Sequence, residues 1–355
     1  MNRNNLKQVT INFTVILACP ESRDSRQAGE TYRKNYYSFA MTKTQGFLLI
    51  NKPLNYTSFD VIACLRKILN IKKIGHTGTL DPLATGLMVI GVGQATRFLE
   101  FHTGHSKEYI AEVTFGKTSE TYDAEGPLED TGVHAKIPRL EIEKALENFR
   151  GEIEQIPPKY SALKINGQKY CNLVRQGKEV DIEIKKRKVE ILYCEILDYE
   201  WPILRLKIGC SSGTYIRSIA HDLGSILACG GYLSGLNRTK VEDFDIQDSK
   251  SLEEVSEKDF MALNAGLSFP HLELNMEDIQ KLQHGQKLSS LCHSREGGNL
   301  DQQRKPEESF PPSLSKGDIS KSQYLQVFHN NHFYGVVEEV DSLFKPKKMT
   351  LGEME

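Results

Sequence analysis

The run "GHTGTLDPLATG", residues 75 to 86, sets one carboxylate, Asp81, among glycines and threonines, with Pro82 stiffening the chain behind it and His76 five residues ahead. No second acid lies in the run. A carboxylate can act as a covalent nucleophile, and one presented in this way has to act alone. Other candidate chemistry in the chain is weaker. "GVGQAT" has a lone GxG without the third glycine or later acid of a dinucleotide site, so it reads as a strand-ending turn. "DTG" at 130 to 132 has no matching second copy and reads as a surface turn, and His329 and His332 read as solvated residues of a hairpin tip. There is no Walker sequence, and neither a metal site nor a cofactor is expected. The chemistry must run on side chains.

A chain of 355 residues with 39% hydrophobic and 26% charged residues has ample core for one large domain and one smaller one. No apolar stretch is long enough to span a membrane. The seven cysteines are odd in number and free of CxxC spacing, which argues against a disulfide framework or a zinc site and fits a reducing cytoplasm. A net charge of −2 gives no hint of a nucleic-acid partner, but the charge is unevenly spread. Between Pro157 and Lys188, nine cations stand against three carboxylates, with Tyr160 and Tyr170 among them. Such a run suits phosphate contacts and stacking, although a solvated charged face reads equally well from this stretch alone.

Elements able to hold Asp81 are legible around it. A first strand covers Phe47 to Ile50. In "PLNYTSFDVIACLRKILN", Thr57 or Ser58 can cap a helix on which Ile62, Leu65 and Leu69 repeat at helical spacing. "LMVIGV" is a buried strand, and "KEYIAEVTFG" alternates Tyr109, Ala111, Val113 and Phe115 on one face. "LEIEKALENFRG" is a helix with Ile142, Ala145, Leu146 and Phe149 inward and Gly151 as its stop. "VEILYCEI" and "ILRLKIGC" are strands, followed by a helix in "GTYIRSIAHDLGSILA" carrying the stripe Ile216, Ile219, Leu223 and Leu227. The elements interleave without a βαβ rhythm, which makes the fold class α+β. From about Pro270 a smaller unit follows, with a hairpin turning at Asn330 and Asn331.

Two segments read as outside this fold. Residues 1 to 45 start with a basic stretch and a short apolar patch, but Asn12 and Thr14 interrupt it, so no export leader is expected, and Met41 is the better start. Residues 292 to 322 contain five apolar residues in 31, too few to bury a core, and read as a disordered insert. The insert, and "ACPESRDSRQAGE" within the N-terminal stretch, resemble the translated palindromic repeats that some bacterial genomes insert in frame.

"GHTGTLDPLATG", with "KPLNYTS" before it and "GVGQATRF", "KEYIAEVTFG", "IPPKYSALKINGQKY" and "CSSGTYIRSIAHDLG" after it, resembles the bacterial TruB family of tRNA pseudouridine synthases from about Gly46 to Asp245. The resemblance implies a pseudouridine synthase fold: a mixed, mainly antiparallel sheet with flanking helices over 46–268, and a small β-rich PUA-like RNA-binding domain over 269–350, split by the insert. It implies that Asp81 is the nucleophile converting uridine 55 of the tRNA T loop to pseudouridine, without cofactor, guide RNA or membrane, in a cytoplasmic monomer. By the same resemblance Tyr109 stacks on the flipped uracil and takes part in proton transfer, Arg217 pairs with Asp81, Tyr215 and Leu236 line the pocket, and His76 fills space near the opened loop. Lys52, Lys159, Lys164 and Lys169 are expected to contact the RNA. Ser234 and Gly235 stand where the family commonly has arginine, and Asn55 where it has glycine. Two alternatives stay open: an isomerase acting on another RNA, and a tRNA-folding chaperone.

Overall fold

A computed structural model describes residues 45–158, 160, 164–165, 168–169, 186–290 and 323–350. Residues 1 to 44 of the N-terminal stretch expected to lie outside the fold (1 to 45), the insert at 292 to 322, and most of the basic run, Lys159 and Tyr170 included, lie outside the described residues. In chain order come β1 (Gly46–Lys52), α1 (Ser58–Leu69), β2 (Ile74–His76), β3 (Ala84–Val92), β4 (Lys107–Phe115), β5 (Lys117–Ser119), β6 (Leu128–Asp130), α2 (Arg139–Leu146), β7 (Gly151–Gln155), β8 (Lys164–Ile165) and β9 (Gln168–Lys169). They are followed by β10 (Arg187–Glu200), β11 (Ile203–Cys210), α3 (Ile216–Ile226), β12 (Gly231–Val241), β13 (Phe244–Asp245), β14 (His271–Glu273), α4 (Met276–Gln283), β15 (Leu288–Ser289), β16 (Gln323–His329), β17 (His332–Val340) and β18 (Leu343–Met349).

The main sheet runs β1-β3-β12-β4-β11-β10-β7, with β2 on β3 and β13 on β12. All its pairings are antiparallel except β3 with β12. Strand β1 is a near-continuous apolar run because Phe47, Leu48, Leu49 and Ile50 are all buried. Strand β4 alternates as its sequence predicts, with Tyr109, Ala111, Val113 and Phe115 buried. Helix α1 starts at a reciprocal capping box between Thr57 and Asp60 and buries Ile62, Leu65 and Leu69. Helix α2 ends at Leu146 and continues as a 3-10 turn to Phe149, so Gly151, at φ 72, opens β7 instead of ending the helix.

Two glycines set close approaches that matter for the site. A side chain at Gly224 on α3 would collide with the backbone of Gly230 and Gly231, so this helix lies directly against the start of β12. At Gly86, with φ +106, a side chain would meet the backbone of Arg238. The second sheet, β14-β16-β17-β18-β15, contains the expected hairpin, with Asn330 and Asn331 at φ 49 and 62 as a two-residue primed turn requires. Its Val336, Phe333 and Tyr324 pack with Phe47, Phe98 and Phe244 of the first sheet's side, so the two sheets share a hydrophobic core. No helix among the described residues is long and apolar enough to cross a membrane.

Candidate active site

The Asp81 loop is fastened from four sides. Ser58 Oγ accepts from Leu80 N–H at 2.8 Å and donates to Leu80 O at 3.0 Å. Asn55 N–H donates to Pro82 O at 2.9 Å, and Asn55 sits at φ 66, a left-handed angle that asparagine tolerates. Glu125 accepts from Leu83 N–H at 2.9 Å. Beneath the loop lies Lys52, fully buried, whose ammonium donates to the carbonyls of Pro53 (3.0 Å), Pro82 (3.4 Å) and Tyr56. Burial pushes Lys52 down to about 8, against the opposing pull of Asp81 and Glu125. Lys52 is therefore a strut under the loop, and contact between its ammonium and RNA would require this staple to open.

Sheet register brings the remaining side chains together. Leu236 on β12 stands between Ala84 of β3 and Ala111 of β4, and Arg238 stands between Gly86 and Tyr109. Leu236 is partly exposed, as a pocket wall must be. The Arg238 side chain is fully buried; it donates to Leu87 O at 2.7 Å and to Gly78 O at 3.2 Å, and it hydrogen-bonds Tyr109. One guanidinium thus ties the aspartate loop to the tyrosine. Burial, with a smaller contribution from Asp81, pushes the Tyr109 phenol up to about 12, so it is neutral under physiological conditions. His76 on β2 is partly buried with Nδ1 unpartnered among the described residues, and burial, with Arg238 next, keeps its ring below the usual histidine range.

Arg217, the second residue of α3, is buried rather than a surface charge. Its Nη2 lies 3.2 Å from Asp81 Oδ2 and its Nη1 3.0 Å from Asp123 Oδ2. It also donates to Thr121 O at 3.3 Å and to Tyr160 O at 3.2 Å. The Asp81 side chain is 43% exposed and that of Asp123 1%. Asp123 accepts in addition from the Thr121 hydroxyl and, at 3.0 Å, from Glu125 N–H. Gln155 grips the peptide of Tyr215, accepting from its N–H at 2.9 Å and donating to its carbonyl at 3.2 Å, and so fixes the chain two residues before Arg217. Tyr215 itself is partly exposed.

Asp81, Arg217, Tyr109, Leu236 and His76 therefore converge at one end of the central strands, with a carboxylate reachable from solvent above buried cations and a neutral phenol. Lys159 lies outside the described residues, and Lys164 and Lys169 are described only as register partners of β8 and β9. Sequence reasoning missed Asp123 and Arg238; no motif marks them, and only burial sets them apart. Ser234, noted as a departure, lies at a β-bulge and bonds Thr114 Oγ1 at 2.8 Å and Glu112 O at 3.2 Å.

Relatives with curated descriptions share this sequence at length. Tested against family models, residues 66–216 match the N-terminal domain of the TruB family pseudouridylate synthases, and residues 217–265 match the tRNA pseudouridylate synthase B C-terminal domain. The tRNA pseudouridine synthase B of Clostridium kluyveri is 38% identical over 310 residues, 86% of this chain and 99% of that protein. That of Clostridioides difficile is 47% identical over 206 residues, 58% of this chain and 68% of that protein. A solved Cbf5-Nop10-Gar1 complex contains a chain with the same fold at a TM-score of 0.59 and 22% identity, matching over 83% of this chain and 78% of that one. With the aspartate loop, the central strands and the arginine helix all inside the matched region, the chain belongs to the TruB family of pseudouridylate synthases.

Proposed function

We propose that this protein isomerises uridine 55 in the T loop of tRNA to pseudouridine, with Asp81 as the nucleophile. The observation that carries this reading is a single half-exposed carboxylate oriented by a buried guanidinium at 3.2 Å. The reaction breaks the bond from ribose C1′ to base N1 and forms one from C1′ to C5; N1 gains a proton and C5 loses one, so no oxidant or cofactor is needed. Asp81 forms the covalent adduct that lets the base detach and turn. Tyr109 and Leu236 wall the space in which it turns, and water is kept out while the bond is open. The flipped base costs a few kcal/mol of unstacking, which His76 offsets by filling the vacated position.

Lys159, Lys164 and Lys169 contact T-arm phosphates, and the C-terminal sheet is an RNA-binding, PUA-like unit. The enzyme acts as a cytoplasmic monomer on tRNA alone, without a guide. The relatives' description as tRNA pseudouridine synthase B supports the substrate. Mapping pseudouridine in unmodified tRNA treated with the purified protein tests the proposal: modification at position 55 of the full tRNA and of a bare T-arm hairpin is expected. Asp81→Asn should bind tRNA and leave it unmodified. Modification elsewhere, or residual conversion by Asp81→Asn above an enzyme-free control, would overturn it.

A further inference from the structure

A second cluster of ligand-type side chains lies away from Asp81, where the 3-10 turn Leu99–His102 leads into β4 and the β12–β13 turn passes beside it. His102 is fully buried against Phe47 and Phe244, at ring separations of 4.9 and 5.8 Å, and neither of its ring nitrogens has a hydrogen-bond partner among the described residues. A buried imidazole with both nitrogens unpartnered is costly unless something binds it. His105 Nδ1 is in direct contact with Glu242 Oε2. The His105 ring also hydrogen-bonds the Phe101 carbonyl; a ring nitrogen engaged in that way carries the proton and leaves the other lone pair for a cation. Glu242 is held at φ 52, a left-handed angle rare for a long side chain, while its N–H donates to Ser106 O at 3.0 Å.

The donor atoms of the three residues lie within 4.8 Å of one another. A tetrahedral ion with ligands at about 2.0 to 2.2 Å sets its donors roughly 3.3 to 3.6 Å apart, so the wider spacings must close and the His105–Glu242 contact must open around an entering ion. We propose that His102, His105 and Glu242 bind a divalent transition-metal ion of the zinc class, as a structural clamp between the entry to β4 and the end of β12. Two imidazoles and a carboxylate match the preference of zinc and cobalt(II) over magnesium or calcium. Water or the neighbouring, exposed Asp243 completes the shell. Lys107, donating to His105 O at 2.8 Å, opposes positive charge here, and the Glu242 carboxylate offsets it.

The test uses the full chain without an affinity tag, stripped with a chelator and titrated with cobalt(II), then zinc. The expected result is one cobalt per chain, visible d–d absorption of a four- or five-coordinate ion without a thiolate charge-transfer band, and displacement by zinc. Saturating zinc at about a hundred times its Kd should raise the thermal midpoint by about 3 to 8 °C. Glu242→Gln, nearly isosteric and partly exposed, and His105→Gln should each weaken cobalt binding at least about tenfold. The proposal is overturned if the wild-type chain takes up no stoichiometric cobalt, if the spectrum shows a thiolate ligand, or if folded Glu242→Gln binds as the wild type does.

Discussion

Arg217 divides its guanidinium between two carboxylates in unlike surroundings, and this predicts opposite phenotypes for the two. The Asp81 side chain is 43% exposed, and an ion pair in such surroundings contributes about 0 to 1 kcal/mol to stability, so Asp81→Asn should stay within that margin. The Asp123 side chain is 1% exposed and bonds Arg217 at 3.0 Å. Asp123→Ala strands a buried guanidinium beside one water-facing partner, a truncation that costs about 3 to 5 kcal/mol. Asp123→Asn keeps the shape and exchanges a charge-assisted hydrogen bond for a neutral one, a loss of about 1 to 2 kcal/mol. Where that energy orients Arg217 toward Asp81 in the transition state, turnover falls about 5- to 30-fold, since 1.36 kcal/mol is a factor of ten. Urea unfolding reads the stability ranking. Single-turnover release of tritium from C5-labelled uridine in tRNA reads the chemistry, with filter binding as the control for RNA affinity. The reasoning fails if Asp81→Asn loses more stability than Asp123→Asn, or if Asp123→Asn matches the wild type in both stability and rate.

Three further outcomes are expected. Replacing Lys159, Lys164 and Lys169 with Gln should flatten the salt dependence of tRNA binding by roughly 0.7 to 0.9 in slope per contact removed, with less effect on turnover at saturating RNA; an unchanged slope would make this run solvated surface. Deleting residues 292 to 322 should leave tRNA modification near the wild-type rate, and a folded but inactive deletion would give the insert a role. Burial pushes Lys52 down to about 8 from 10.5, so between those values the unfolded chain binds a proton that the folded chain has released, and the contribution of Lys52 to stability rises with pH across that window. Urea titrations of Lys52→Met should lack this rise, and a variant with the wild-type slope would show that the ammonium is not desolvated.

Local signals were readable wherever one element's own periodicity sets its burial. The alternation of β4, the Thr57 cap and the Asn330–Asn331 turn each follow from a few consecutive residues. Strand β12 was hidden because register shifts around Ser234 and Thr239 break its alternation and glycine and polar residues dilute its apolar character. Asp123 and Arg238 look like surface charges in one dimension, and other elements bury them: Thr121 and α3 close over Asp123, and β3 and the aspartate loop over Arg238. Lys52 shows the reverse, since a lysine beside the aspartate loop suggests an RNA contact, and only the structure shows its ammonium engaged by three carbonyls. His102, His105 and Glu242 had no spacing signature because the third donor comes from a different strand junction.

Strand β12 also fixes when the enzyme can first work. In the sheet it lies between β3 and β4, which precede it by more than a hundred residues in the chain and pair with it rather than with each other. A nascent chain that has emerged only as far as β11 has the aspartate loop and the tyrosine strand but not the strand that joins them, and it lacks the arginine helix as well. Such long-range closure is slow and comes late. Partly synthesised or C-terminally truncated chains therefore expose two unpaired strand edges, a template for misassembly, and catalytic competence arrives in a single step when the last central strand slots in.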